Sequence, residues 1–265
     1  MSDSRMIVFV LGGRGFVGSA FVRWLTARDI ACEIVSRDNW DAFAGRRCDV
    51  LINAAGNSKK FLSDRDPAAD FDATVRATFD SLHRFKFDRY VLCSSCDVYD
   101  DYADPGRTRE DAPIDPMRQS RYGFHKQLAE HLVRYEANQP LIIRFGGFVG
   151  PGLKKNPIFD ILRGGPLWLH PDSRLQYLHT DEAARIVWQL VESGRWGETV
   201  NVCGDGVVRL ADVIARVGQP VTVQPDSPTV HYEINIDKLR GWMPVPRSEQ
   251  AVFAFVDAEK QPPRG

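Results

Sequence analysis

Residues 12–18, Gly12-Gly13-Arg14-Gly15-Phe16-Val17-Gly18, constrain this chain more than any other segment. The apolar run at 6–11 predicts a buried strand, and residues 19–25 carry helical periodicity. A strand, a glycine turn and a helix N-terminus in that order form a phosphate cradle. Glycines let the backbone approach a pyrophosphate, and the unpaired N–H groups and dipole of the helix stabilise its charge. In the first βα unit of a chain this pattern marks a dinucleotide site; a plain strand-to-helix turn is the competing reading.

Strand and helix signals then alternate. Short apolar runs at 33–36, 49–53, 89–93 and 140–144 read as strands, with helical stretches at 67–84 and 120–138 between them. Such alternation predicts an α/β fold, a doubly wound parallel sheet with ligands outside the carboxyl ends of its strands. From Gly146 onward Gly and Pro recur and the elements shorten: a helix at 180–192, a strand at 199–202 and a helix at 210–217. The expected organisation is a dinucleotide-binding domain at 1–146, continued by part of 176–203. An interleaved C-terminal substrate lobe follows at 147–258, and a mobile polar tail at 259–265.

The net charge of -1 gives no global field for nucleic acid or an anionic membrane. No apolar stretch approaches the ~20 residues that span a bilayer, and no secretory leader is evident. Five cysteines without such a leader suggest reduced thiols and a cytoplasmic location. Cys93 and Cys96 form a C-x-x-C, but Cys32, Cys48 and Cys203 are scattered, so no metal site is expected.

Tyr122 and Lys126 stand four residues apart in a helical stretch, hence on one face. A tyrosine ordinarily titrates near 10, and a neighbouring cation favours its phenolate. Lysine also suits a hydrogen bond to a cofactor ribose. Ser94-Ser95 end the strand at 89–93, placing a hydroxyl at the carboxyl edge of the sheet. Together they suggest a centre in which Ser95 holds a carbonyl oxygen, Tyr122 exchanges a proton with it and Lys126 tunes Tyr122.

With these motifs in order, the chain resembles the extended short-chain dehydrogenases/reductases, the NAD-dependent epimerase/dehydratase family, over most of its length. Gly12-x-x-Gly15-x-x-Gly18 matches the glycine signature, and Asn53-Ala54-Ala55-Gly56 the motif after a strand. Ser94-Ser95-Cys96-Asp97-Val98-Tyr99, the Tyr122/Lys126 pair, the stretch from Arg144 to Gly152 and Tyr177-Leu178-His179-Thr180-Asp181 match further landmarks. The resemblance implies a Rossmann-like fold, catalysis by Ser95, Tyr122 and Lys126, cofactor contacts from the glycine loop, Asn53 to Gly56 and Lys126, and a homodimer. This chain also departs from the family. Gly147 and Thr74 stand where the family has asparagines, the third strand is shortened or missing, and Cys96-Asp97 replaces the Asp-Glu pair of the dehydratases.

The second strand ends at Ser36-Arg37, without the acidic residue that holds an NAD ribose. Arg37 and Arg14 would receive a 2′-phosphate, which favours NADP(H) over NAD(H); the alternative gives Asp38 the acidic role. Lys59, Asp97, Gly147 and Arg174 are candidate substrate contacts, with Lys59-Lys60 and Arg174 equally readable as solvated surface. His125 reads as packing or surface, His179 and Asp181 as orienting a helix entry, and Trp168, Trp188 and Trp196 as packing. The expected function is an NAD(P)-dependent oxidoreductase or epimerase working on a carbonyl or carbinol of a sugar-like small molecule, foremost an NADPH-dependent keto-sugar reductase. The alternatives are an NAD-dependent sugar-nucleotide epimerase or dehydratase, and a non-catalytic dinucleotide-sensing regulator.

Overall fold

The computed structural model describes residues 6–57 and 60–260, which divide into two compact units. The first comprises the chain up to Asp100, Pro113–Phe145 and Ala184–Val200; the second comprises Asp101–Ala112, Gly146–Ala183 and the chain from Asn201.

The first unit is built on β1 (Ile7–Leu11), β2 (Ala31–Val35), β3 (Arg47–Asn53), β4 (Lys86–Ser95) and β5 (Leu141–Phe145). They lie in the order β2-β1-β3-β4-β5, with the strand Thr199–Val202 beyond β5. The pairings from β2 through β5 are parallel. Successive side chains of a strand point to opposite faces. Phe9, Leu11, Leu51, Tyr90, Leu92 and Ile142 share one core with Leu82 and Val133 of the flanking helices. The alternate residues Val8, Val10, Ile52, Val91 and Ile143 are buried just as deeply. Burial on both faces explains why these strands read as continuous apolar runs.

The chain steps from β1 to β2 on one side and returns with β3 on the other. The loops leaving β1 and β3 therefore flank the switch in strand order, where sheets of this kind bind ligands. β2 is an edge strand, and only the one-turn helix Trp40–Phe43 separates it from β3. The missing third strand is a real shortening of the sheet.

The helical stretch at 67–84 forms in three pieces: Pro67–Phe71, a π turn at Asp72–Arg76, and Ala77–Arg84. Asp66 starts it by accepting the Ala69 N–H at 3.0 Å, with Pro67 in the first turn where no N–H is required. Ser120 likewise caps the helix Arg121–Glu136, accepting the Gly123 N–H at 3.1 Å.

The second unit has its own core, in which Val149, Ile158, Ile161, Tyr177, Leu210 and Val252 pack together. Residues 101–112 belong to it, although the sequence places them in the first domain. The Asn201 amide donates to Thr108 O at 2.7 Å, and the Asn235 N–H donates to Thr108 Oγ1 at 2.9 Å. Trp168 is not packed inside; it is 64% exposed, because Leu167 takes the buried side of that extended segment. Trp188 is buried, as expected. Glu259 and Lys260 complete the helix Ser248–Lys260 rather than forming a mobile tail, and Lys260 Nζ bonds Arg216 O. Residues 261–265 lie outside the described residues. Among the described residues no helix is long and apolar enough to cross a membrane.

Candidate active site

The glycine loop is a backbone construction. Gly12 has φ +72°, and a Cβ there would lie 2.9 Å from Ala54 O, so the loop after β1 runs against the loop after β3. A Cβ on Gly18 would lie 2.2 Å from Gly12 O. Gly15 N–H closes the turn onto Gly12 O at 2.8 Å. The helix α1 (Gly18–Thr26) starts with no side-chain cap from Val17, and an anion satisfies such a terminus. Phe16 and Val17 are half-buried beneath the loop's exposed Arg14 and Gly15. This cradle fits a dinucleotide pyrophosphate.

Asn53, at the end of β3, is buried and its amide is used internally. Nδ2 donates to the Tyr90 hydroxyl at 2.8 Å, and Oδ1 accepts the Ala55 N–H at 3.1 Å. Asn53 thus shapes the loop of Ala54, Ala55 and Gly56. At the end of β2, Ser36 is held by Asn39, whose Oδ1 accepts the Ser36 N–H at 2.7 Å. Arg37 is exposed. Arg14 Nη1 lies 3.2 Å from Asp38 Oδ2, with the two side chains 65% and 81% exposed. Both readings of the ribose end therefore meet in one exposed ion pair.

The structure brings Ser95, Tyr122 and Lys126 together. Ser95 ends β4 and is buried, and β4 continues into a 3-10 turn, Cys96–Val98. The helix Arg121–Glu136 packs on that turn so closely that a Cβ on Gly123 would lie 1.9 Å from Asp97 O. Glycine at 123 is what allows Tyr122 to approach Ser95. Lys126 Nζ lies 5.9 Å from the centre of the Tyr122 ring and 3.4 Å from Cys93 O. Burial, then Asp97 and Asp70, push the Tyr122 phenol well above its ordinary value, while a hydrogen bond with Ser95 works the other way. Burial also lowers the Lys126 pKa.

Asp97 joins this centre. Its Oδ2 accepts from Ser95 Oγ at 2.9 Å, and its Oδ1 accepts from Lys60 Nζ at 2.5 Å. Lys59 lies outside the described residues, so the cation placed at the centre is its neighbour Lys60. Cys96 faces away: it is fully buried and its Sγ meets Arg144 O at 3.3 Å. Among the described residues no cluster of His, Cys, Asp and Glu is arranged to hold a metal.

Two buried residues, Glu130 and Asp70, have no sign in the spacing, and a third, Thr74, stands where the family has an asparagine. Glu130 accepts from Arg144 at 3.0 and 2.8 Å and from Ser94 Oγ at 2.6 Å, tying β4 and β5 to the helix. Asp70 Oδ2 lies 2.6 Å from His125 Nδ1, so His125 is buried, as the packing reading has it, and also hydrogen-bonded. Thr74, on the π turn, is buried with its hydroxyl unpartnered. It and Lys126 Nζ lie 3.9 and 3.2 Å from where a Gly56 Cβ would stand. The Glu130 and Asp70 contacts each join segments distant in the chain, which no local pattern reports.

The other candidates belong to the second unit. Gly147 sits in the strand Gly147–Val149, where a Cβ would come within 2.7 Å of Gln176 O, so this backbone has no room for the asparagine of the family pattern. Arg174 is exposed on the strand Arg174–Leu175. His179 Nδ1 accepts the Asp181 N–H at 3.2 Å, at the start of the helix Thr180–Glu192.

Residues 8–203 match the family described as the NAD dependent epimerase/dehydratase family. A probable dTDP-glucose 4,6-dehydratase of Sinorhizobium fredii (strain NBRC 101917 / NGR234) is 27% identical over 268 residues, covering 80% of this chain and 75% of the relative. A crystal structure of UDP-galactose 4-epimerase superposes with a TM-score of 0.75 at 26% identity, covering 97% of this chain and 100% of that one. The dTDP-4-dehydrorhamnose reductase of Bacillus anthracis str. Ames, in complex with NADP, superposes with a TM-score of 0.77 at 13% identity, over 97% of this chain and 100% of that one. At that identity the likeness is one of fold. A match over well more than half the length decides the matter: the chain is an enzyme of the NAD dependent epimerase/dehydratase family.

Proposed function

We propose that this chain is an NADPH-dependent reductase of a keto group on a nucleotide-linked sugar. The observation that carries the reading is the convergence of Ser95, Tyr122 and Lys126 at the carboxyl end of β4, with Cys96 turned into the core. The dinucleotide, when bound, supplies the hydride. The residues of the glycine loop hold its pyrophosphate, and the loop from Ala54 to Gly56 lines the adjoining strand end.

The proton side of the reaction belongs to the chain itself. Tyr122 has its pKa raised, so near neutral pH it is a phenol with a proton to give, the state a carbonyl reduction requires. Ser95 donates to the same carbonyl oxygen once its hydroxyl turns from Asp97 Oδ2. The Lys126 ammonium stabilises the phenolate left after transfer. Dehydration has less support, because the thiol of Cys96 stands in place of a dehydratase carboxyl and points away. Asp97 alone, held beside Ser95, keeps dehydration as the second reading.

For the cofactor, Ser36 offers no charge to repel a 2′-phosphate, and Arg14 is engaged only by an exposed pair. Such pairs are worth about 0–1 kcal/mol, so a phosphate dianion displaces Asp38 readily. The test is a panel of nucleoside-diphosphate sugars and their 4-keto forms with NADPH or NADH. Stoichiometric NADPH oxidation by a keto sugar is the expected result. A keto product formed without net oxidation of cofactor identifies a dehydratase, and interconversion of two sugars identifies an epimerase; either outcome replaces the reductase.

A further inference from the structure

Ser95 has one hydroxyl proton and two uses for it. Its Oγ accepts the Asp97 N–H at 3.1 Å and donates that proton to Asp97 Oδ2 at 2.9 Å. Carbonyl reduction requires the proton on the substrate oxygen instead. How readily the hydroxyl turns depends on how hard the carboxylate holds it, because a hydrogen bond to an ionised acceptor is roughly twice as strong as a neutral one.

The charge on Asp97 is answered from outside. Its side chain is 7% exposed, and Lys60 Nζ lies 2.5 Å from Oδ1, the oxygen that Ser95 does not use. The Lys60 side chain is 62% exposed, so its ammonium reaches the carboxylate from the solvent side. The base of that side chain is fixed. Lys60 opens the helix Lys60–Arg65, where Ser63 Oγ donates to Lys60 O at 2.7 Å. Arg121, on the helix that carries Tyr122, donates to Ser63 O at 3.1 Å. Lys126, the deeper cation, bonds Cys93 O at 3.4 Å.

We propose that Lys60 is a positioning residue for the reaction: by neutralising Asp97 at Oδ1 it loosens the hold at Oδ2 and frees the Ser95 proton for the substrate oxygen. Without Lys60 the carboxylate is a buried charge short of a counterion, and it takes the nearest proton, that of Ser95, more firmly. The role in catalysis rests on the reading of Ser95 as a donor to a keto oxygen. The hold on Ser95 does not, and it is visible without turnover.

The experiment is NMR of the cofactor-free protein carrying serine labelled with 13C at Cβ, in equal parts of H2O and D2O, with the Ser95 signal assigned by its loss in Ser95→Ala. Slow hydroxyl exchange gives two lines split by the isotope shift, and fast exchange gives one. Lys60→Met is expected to slow exchange at Ser95 about tenfold. Lys60→Arg keeps the charge, and Lys60→Met combined with Asp97→Asn removes the anion; both are expected to return exchange to within about threefold of wild type. Unchanged or faster exchange in folded Lys60→Met overturns the proposal, as does a single averaged line in that variant. Equal slowing in Lys60→Arg also overturns it, since the effect is then one of shape. With NADPH and a keto sugar, Lys60→Met should lose kcat about tenfold with KM within about twofold. Slowed exchange with an unchanged kcat overturns the role in catalysis. Slowed exchange in a protein that reduces no keto sugar leaves the hold of Lys60 on Ser95 standing and removes the reductase reading.

Discussion

The phosphate cradle and the Tyr122 centre share one sheet but are made of different material. The cradle is backbone against backbone: Gly12 and Gly18 allow contacts that any Cβ would block, and its one charged side chain, Arg14, lies in solvent. The centre is side chain against side chain, buried, and assembled over separations of 36 residues for Ser94–Glu130 and 55 for Asp70–His125. A backbone site tolerates almost any surface chemistry but no added atoms. A buried side-chain site tolerates changes of shape poorly and changes of charge worse.

The sharpest way to break this comparison is to damage the centre and watch the cradle. Tyr122→Phe keeps the ring and removes the acid. It is expected to lower kcat about a thousandfold, ~4 kcal/mol, while cofactor affinity by calorimetry stays within about twofold. Equal losses in both would mean the two regions are not separable.

Next in size is Glu130→Gln, which attacks the charges under the centre. Burial alone would raise the Glu130 pKa, but Arg144, with Ser94 and Arg134, outweighs it and holds the carboxyl below its usual range. Losing this charge leaves the buried Arg144 guanidinium uncompensated, and is expected to cost about 3 kcal/mol in denaturant unfolding. The sign with pH follows from the direction of the shift. A carboxyl whose folded value lies below its unfolded one stabilises fully above the unfolded value, and the stabilisation is lost as pH falls through the folded value. The gap between wild type and Glu130→Gln should therefore narrow only in acid; a gap constant with pH would assign the loss to shape instead.

The same contrast explains what could be read in advance. The sheet, the glycine loop and the place of Ser95, Tyr122 and Lys126 were legible because each depends on local pattern: apolar runs, glycines at fixed offsets, a four-residue spacing on one helix face. Asp70, Lys60 and Glu130 were not, since nothing in the sequence near them reports which distant residue they meet. Gly123 carried a signal that went unused, a glycine inside a helix beside a buried tyrosine, which marks close approach of another backbone. Trp168 was misread because size alone suggests burial, whereas the extended segment gives the inner side to Leu167. The strand-end motif marks Asn53 but does not report that its amide also bonds Tyr90 and Ala55.

Gly18→Ala probes the cradle as Tyr122→Phe probes the centre. The added methyl meets Gly12 O, so the turn must open or α1 must shift. The expected cost is about 2 kcal/mol, shared between stability and cofactor affinity, with kcat at saturating cofactor largely kept. A selective loss of kcat would show that the cradle positions the reacting atoms and does more than bind.

The smallest effect belongs to the exposed edge of the cradle. Arg14 pairs with Asp38, and the pair is too exposed to stabilise the fold appreciably. Arg14→Ala should leave thermal unfolding unchanged and weaken NADPH binding about tenfold, ~1.4 kcal/mol, without altering NADH binding. The selectivity is the informative part, because a guanidinium that reads a 2′-phosphate has nothing to grip in NADH. If Arg14→Ala instead weakens both cofactors equally, its role is general attraction to the pyrophosphate. If it strengthens NADH, by freeing the Asp38 carboxylate for the ribose hydroxyls, the acidic reading of this edge is correct and the enzyme is built for NAD.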